Sequence, residues 1–280
     1  MKRIGFIGMG RMGIRMAARL APLHQVFGTD IDSGLKPEVV RRGITWKKNV
    51  KLLADSCDVI FIVVGTEAQT TDVMFGENGI LSMERRNLII IICATLRPVY
   101  MQALAERLSK LEGLRLLDCP VARGEQAAVS GDLLLFVGGA RDTLDQVKPL
   151  LDCLGTDIEY LGPVGAGQVA KMINNYLLWA CLTASVEGLD IGEALGIDRE
   201  RLRVALEKSS GASWAMTTRA DDRPALWAEK DMSLLLSEAD RLRFPVPIAG
   251  QIREAIKRFK IDRHLERSPI DETIVFPDLK

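Results

Sequence analysis

Three glycines in the stretch "GFIGMGRMGIRMAARL", Gly8, Gly10 and Gly13, have the spacing with which a backbone turn receives a phosphate pair. In such a turn the first glycine allows the tight bend, the second lets a pyrophosphate approach the main chain, and the third lets helix and strand pack closely. Met9, Arg11 and Met12 fill the turn, whose exposed N–H groups and helix-dipole end favour an anion. Asp30 follows 22 positions after Gly8, where a carboxylate accepts both ribose hydroxyls of NAD and repels a 2′-phosphate. The expected cofactor is therefore NAD, with NADP the alternative if Arg3, Arg11 or Lys36 reaches that phosphate. A second group, Lys171, Asn174 and Asn175, stands at i, i+3 and i+4 of a helix-like stretch and so shares one face. A lysine and two asparagines on an otherwise apolar helix are unfavourable to bury unless they have polar work to do. A partly desolvated lysine can give or take a proton near neutral pH.

The elements that must carry these groups are legible from periodicity. Residues 3 to 8 read as a strand, and Met12, Met16, Ala17 and Leu20 follow at helical spacing. "HQVFGTD" reads as a second strand ending at Asp30, and "DVIFIVVG" and "NLIIIICA" as central strands of a parallel sheet covered on both faces. "LRLLDCPV", "LLLFVGG" and "IEYLG" read as further strands, with the helix "RDTLDQVKPLLDCLG" before the last. This alternation predicts an α/β fold with an N-terminal Rossmann-type doubly wound sheet over residues 1–162. From residue 163 to 280 the strand signal stops, and a long, mostly apolar helix over 165–196 leads into shorter helices, predicting an all-α second domain. So much apolar helix surface predicts a homodimer or homotetramer.

Composition narrows the partners. Lys+Arg and Asp+Glu both number 37, so no global field favours nucleic acid or an anionic membrane. The apolar runs are strand-sized, far below the roughly 20 residues of a membrane span. Five scattered cysteines without a Cys-x-x-Cys pair read as buried, reduced thiols of a cytoplasmic protein, and two histidines without clustered ligands argue against a metal site.

The sequence resembles the β-hydroxyacid dehydrogenase family, which includes 3-hydroxyisobutyrate dehydrogenase and tartronate semialdehyde reductase. Four segments carry the resemblance: "GFIGMGRMGIRMA", "DCPVARGEQAAVSGDLLLFVGG", "GPVGAGQVAKMINN" and "EKDMSLLLSEA". It implies that Lys171 is the catalytic lysine, that Asn175 orients it or holds the substrate oxygen, and that Asn174 contacts substrate. It further implies that Thr95 lies beside the nicotinamide, that Lys230 closes the site from the second domain against substrate and cofactor, and that Ala122, Arg123 and Gly124 bind the substrate's acid group.

Beside Thr95 the family's usual serine is Ala94 and its common aspartate Ile92, but the most informative departure from the family pattern is at Ala122-Arg123-Gly124, where Ser-Gly-Gly is usual. Arg123 offers a planar fork suited to an oxyanion, and this segment is most similar to that of sulfolactaldehyde reductases. The plainer alternative points Arg123 to solvent or pairs it with Glu125; for Trp214 and Trp227, core packing is the simpler reading beside a pocket wall. The expected activity is reversible reduction of a short anionic aldehyde, such as sulfolactaldehyde, tartronate semialdehyde or methylmalonate semialdehyde, to its 3-hydroxy acid. The alternatives are an imine reductase, against which Lys171 argues, and a non-catalytic dinucleotide-binding protein.

Overall fold

The computed structural model describes residues 2–83, 87–218, 225–268 and 276–277. Strands β1 (Arg3–Ile7), β2 (Gln25–Thr29), β3 (Thr45–Trp46), β4 (Val59–Ile62), β5 (Leu88–Ile92) and β6 (Leu114–Asp118) form a parallel sheet in the order β3-β2-β1-β4-β5-β6. Beyond them, β7 (Val121–Ala122) and β8 (Leu133–Gly139) pair antiparallel, β8 also runs antiparallel to β6, and β9 (Gly155–Gly162) lies parallel to β8. The helices α1 (Gly13–Leu20), α2 (Lys36–Arg41), α3 (Val50–Ala54), α4 (Glu67–Phe75), α5 (Pro98–Leu108), α6 (Gly124–Ser130) and α7 (Arg141–Leu151) make the connections. The strand order reverses between β1 and β4, which opens a crevice at their carboxyl ends.

The central strands are buried on both faces because their residues are apolar in both registers. Ile4, Phe6, Phe61, Ile89 and Ile91 belong to one core layer, and Ile7, Ile60, Ile62, Ile90 and Ile92 to the other. Phe6 and Phe61 stack across β1 and β4 with centroids 4.8 Å apart. Each such side chain contributes about 1.5–3 kcal/mol by leaving water. The single strand expected over "LRLLDCPV" is divided: β6 pairs with β5, whereas β7 crosses to β8. Pro120, which has no N–H to give a ladder, stands at the break.

The helices α8 (Ala166–Ala194), α9 (Arg199–Leu206), α10 (Trp214–Thr218), α11 (Ala228–Leu242) and α12 (Pro247–Asp262) complete the chain. The chain divides into two compact units inside α8, between Lys171 and Met172; the last described residues, Phe276 and Pro277, count with the first unit. There the Phe276 ring meets Tyr100 and Phe75 at 4.9 and 5.6 Å, and Arg107 donates to the carbonyls of Phe276 and Pro277. The second unit has its own core of Met172, Trp179, Met232, Leu235, Ile252 and Ile256, drawn from α8, α11 and α12. Among the described residues no helix is long and apolar enough to cross a membrane, and no cluster of metal-ligating side chains occurs.

Candidate active site

The glycine turn lies between β1 and α1, beside the end of β4. Gly8 has φ +91°, and a Cβ there would stand 2.4 Å from the Val63 carbonyl oxygen. A Cβ on Gly13 would stand 1.9 Å from the Gly8 carbonyl oxygen, so α1 can start against β1 only if residue 13 has no side chain. Around Gly10 nothing lies within 4 Å of a built Cβ, the open cradle a pyrophosphate needs. The turn is thus shaped to hold a dinucleotide, with Met9 buried beneath it and Met12 half-buried at the head of α1.

Asp30 follows β2 on the same rim. Its Oδ2 accepts from the Met9 N–H at 2.5 Å and its Oδ1 from the Asp32 N–H at 2.9 Å, which locks the carboxylate to the turn. Ile31, next in sequence, is fully exposed. Of the cations that could have received a 2′-phosphate, Arg3 stands at the opposite end of β1 and forms a bidentate pair with Asp58, Nη2 to Oδ1 at 2.6 Å and Nε to Oδ2 at 3.3 Å. Arg11 is also engaged, its Nε 2.7 Å from Glu125 Oε1, and Arg15 Nη2 is 3.4 Å from the other oxygen. Glu125 thereby joins the cofactor turn to the segment at 122–124.

In that segment Ala122 is buried and paired with Leu134, while Arg123 and Gly124 both take left-handed backbone angles, φ +79° and +80°. The Arg123 side chain is tied down: Nη1 donates to Asp157 Oδ2 at 2.6 Å, Thr156 Oγ1 at 3.0 Å and the Asp132 carbonyl at 3.0 Å. Its partner is Asp157 rather than Glu125, and the hydrogen bond from Arg123 holds the Asp157 carboxyl below the ordinary aspartate range. The alternative pairing with Glu125 does not form, since Arg11 and Arg15 already occupy that carboxylate.

Two buried groups that sequence reasoning misses fix the start of α8. Asp118, at the end of β6, accepts from Gly165 N–H and Gln168 N–H at 2.8 Å each. Burial pushes its carboxyl up, and those backbone donors oppose the rise. Gln168 is fully buried; its Nε2 donates to the Ala94 carbonyl at 2.8 Å and its Oε1 accepts from Leu96 N–H at 2.9 Å, so it spans Thr95 in the loop after β5. Arg97 is held by Glu67, whose carboxylate accepts from the Arg97 N–H at 2.9 Å and from the guanidinium. A polar residue amid the small and apolar residues of "GAGQVAKM" is the available signal for Gln168, and an acid inside the apolar run "LRLLDCPV" that for Asp118.

One turn after Gln168 stands the half-buried Lys171, then Asn175, only 5% exposed, whose Oδ1 accepts from Asn174 Nδ2 at 3.1 Å. Continuing the same i, i+4 stripe, Trp179 donates its indole N–H to Asp231 Oδ2 at 3.1 Å, which joins α8 to the first turn of α11. Lys230, in that turn, is 4% exposed with its Nζ 5.6 Å from the centre of the Trp227 ring, so it is no solvated surface lysine. Glu229 beside it takes Lys260 Nζ at 2.9 Å and Ser268 N–H at 3.0 Å, a buried network that fixes the start of α11. Trp214 and Trp227, expected in the core, are 51% and 40% exposed; the buried indole of this unit is Trp179.

Residues 3–162 match the family described as the NAD binding domain of 6-phosphogluconate dehydrogenase, and residues 165–268 that described as the NAD-binding of NADP-dependent 3-hydroxyisobutyrate dehydrogenase. The chain is 30% identical over 256 residues to YkwC, an uncharacterized oxidoreductase of Bacillus subtilis, covering 88% of each. It is 29% identical over 217 residues to the NAD-dependent L-serine dehydrogenase of Pseudomonas aeruginosa, covering 77% of this chain and 72% of that one. The solved 3-hydroxyisobutyrate dehydrogenase of Mycobacterium tuberculosis with L-serine has the same fold, with a TM-score of 0.82, 23% identity and 96% of both chains covered. With a dinucleotide turn whose glycines are sterically required and both halves matched in order, the chain belongs to the β-hydroxyacid dehydrogenase family of nicotinamide-dinucleotide-binding oxidoreductases.

Proposed function

We propose that this protein interconverts a short 3-hydroxy acid and its semialdehyde with NAD, Lys171 handling the proton. When bound, the nicotinamide supplies or accepts the hydride. The chain's own work is then to hold the acid group, orient the carbonyl and move one proton. Lys171 gives its ammonium proton to the aldehyde oxygen in reduction and takes the alcohol proton in oxidation. Asn174 keeps the Asn175 Oδ1 occupied, which leaves the Asn175 Nδ2 to meet a substrate oxygen. The N–H groups of the left-handed turn at Ala122-Arg123-Gly124 receive the acid group, and Arg123 adds a positive charge already shared with Asp157. Thr95 is assigned to the nicotinamide side, and Lys230 is a proposed ligand of substrate or cofactor.

The observation that carries this reading is the polar stripe Lys171–Asn175 on α8, with the asparagine buried and already oriented by its neighbour. NAD is preferred because Asp30 is locked beside the turn and two of the three candidate cations, Arg3 and Arg11, are paired elsewhere, while the third, Lys36, is exposed. The names of the relatives put L-serine beside sulfolactaldehyde, tartronate semialdehyde and methylmalonate semialdehyde as substrates to try. The test is turnover of these compounds, with NADH for the aldehydes and NAD for L-serine, by wild type and Lys171→Ala. A loss of about 10²- to 10⁴-fold in kcat with NADH binding kept is expected; an equally active variant overturns the assignment.

Along α8, Val169, Ile173, Leu177 and Ile191, and Leu195 just after it, are exposed in the single chain. We assign this stripe to a homodimer or homotetramer, and light scattering at micromolar concentration distinguishes these from a monomer. Of the cysteines expected to be buried, Cys57, Cys93 and Cys119 are, whereas Cys153 is half-buried and Cys181 exposed; a cytoplasmic setting with reduced thiols is part of this proposal.

A further inference from the structure

Gln168 makes hydrogen bonds of an unusual kind for a helical side chain. Its carboxamide pairs with the peptide groups on both sides of one residue, donating to the Ala94 carbonyl at 2.8 Å and accepting from the Leu96 N–H at 2.9 Å. In effect it takes the place of a neighbouring strand for the loop that leaves β5. Both its polar atoms are satisfied and the side chain is fully buried. The loop is therefore fixed on either side of half-exposed Thr95 and again at Arg97, where buried Glu67 accepts the N–H and the guanidinium. The backbone N–H of the same Gln168 is held by Asp118 at 2.8 Å, and Asp118 also takes Gly165. No side chain fits at Gly167 or Gly138: a Cβ there would come within 2.8 or 2.4 Å of the Asp118 carboxylate. The helix start, the end of β6 and the loop after β5 are thus one rigid assembly, and Lys171 stands three residues beyond Gln168 on the same helix.

We propose that Gln168 is a positioning residue that sets the Thr95 loop, on the nicotinamide side, in register with Lys171, on the proton side. The proposal rests on the function assigned above. A misplacement on the order of 1 Å away from the chemistry lowers a rate about 10²-fold, so the amide's effect falls on the catalytic step rather than on cofactor affinity.

Gln168→Glu is the discriminating variant. The carboxylate still accepts from Leu96 N–H but faces the Ala94 carbonyl without a proton to donate, whereas the protonated acid donates again. The same substrates are offered to wild type, Gln168→Glu, Gln168→Leu and Lys171→Ala at pH 8 and pH 6, with NADH affinity, thermal unfolding and the emission spectrum of bound NADH measured alongside. A kcat about 10- to 100-fold below wild type at pH 8, recovering toward wild type at pH 6, with NADH affinity within about threefold, supports the proposal. A wild-type kcat in Gln168→Leu, whose side chain can neither donate to Ala94 nor accept from Leu96, overturns it. So does a loss of kcat matched by equal losses of NADH affinity and Tm, since the amide then acts only on folding. If Lys171→Ala is as active as wild type, or nothing is turned over, the assigned chemistry fails, and the emission of bound NADH judges Gln168 alone. A spectrum that differs from wild type at pH 8 and converges on it at pH 6 supports the clamp, and a Gln168→Leu spectrum identical to wild type overturns it.

Discussion

The turn at residues 8–13 and the turn at residues 121–125 are built to one plan and held together by different forces. Each leaves a strand, passes through a left-handed residue and opens a short helix, α1 or α6. In the first the left-handed residue is Gly8, and the carbonyl oxygens of Val63 and of Gly8 itself stand where side chains would be at Gly8 and Gly13. In the second the left-handed residue is Arg123, followed by Gly124, around which nothing lies within 4 Å of a built Cβ. A left-handed angle costs a side-chain-bearing residue about 1–2 kcal/mol. The sharing of the Arg123 fork with Asp157, Thr156 and the Asp132 carbonyl works against that cost. The first turn is fixed by backbone sterics, and the second by an exposed side chain. The first turn has no room for a side chain at Gly8 or Gly13, whereas the second already carries one at its left-handed residue.

Substitutions test this contrast directly. The largest effect belongs to Gly13→Ala: with a Cβ 1.9 Å from a carbonyl oxygen, α1 must move off β1. We expect at least about 3 kcal/mol of destabilisation, the upper end of overpacking, read as a Tm fall of 5 °C or more by roughly 2–4 °C per kcal/mol. A Tm within a degree of wild type would mean that the turn has slack and that the contrast is unfounded. Next comes Gly10→Ala, whose methyl has open space in the cofactor-free chain and so leaves Tm unchanged. The same methyl occupies the ground where a pyrophosphate must approach, and NADH should bind about tenfold more weakly, roughly 1.4 kcal/mol. Equal NADH affinity in a titration of the variant would place the phosphates elsewhere.

The smallest effect is expected for Arg123→Gly. Relief of the left-handed strain opposes the lost pairing, so the variant should unfold within a few degrees of wild type at neutral pH. The sign of the pH dependence follows from Asp157. Its carboxyl is held low by the hydrogen bond from Arg123, so the pairing stabilises the fold above the ordinary aspartate range and is lost as pH falls through and below it. Wild type should therefore lose ground to the variant on acidification. If thermal melts show the gap between them unchanged from neutral to acid pH, the side chain is not what holds the second turn.

Much of the candidate site's local geometry is legible in the amino-acid sequence because it is local. Glycine spacing, the acid after the second strand and the i, i+4 relation of Lys171 and Asn175 are set within a few residues, where steric limits and helical geometry act without help from distant chain. The parallel sheet is legible for a similar reason, since "DVIFIVVG" and "NLIIIICA" leave no polar face to turn outward. The Arg123 partner is not legible, because Asp157 lies 34 positions away on another strand and Glu125 is nearer in sequence. Nor are the tryptophans: an aromatic in a helical stretch reads as core, yet Trp214 and Trp227 are largely exposed while Trp179 is buried against Asp231.

The amino-acid sequence by itself determined that a dinucleotide turn forms at the first strand, that a lysine and an asparagine share a face of a long helix, and that strands give way to helices near residue 162. Only the tertiary structure decided which buried polar groups meet. It brought Gln168 onto the loop around Thr95, Asp118 onto the start of α8, and Lys260 onto Glu229 beside Lys230. The reason is physical: propensity and periodicity act over a few residues, whereas a buried amide or carboxylate must be satisfied by whatever backbone the fold brings within hydrogen-bonding distance, across any length of sequence.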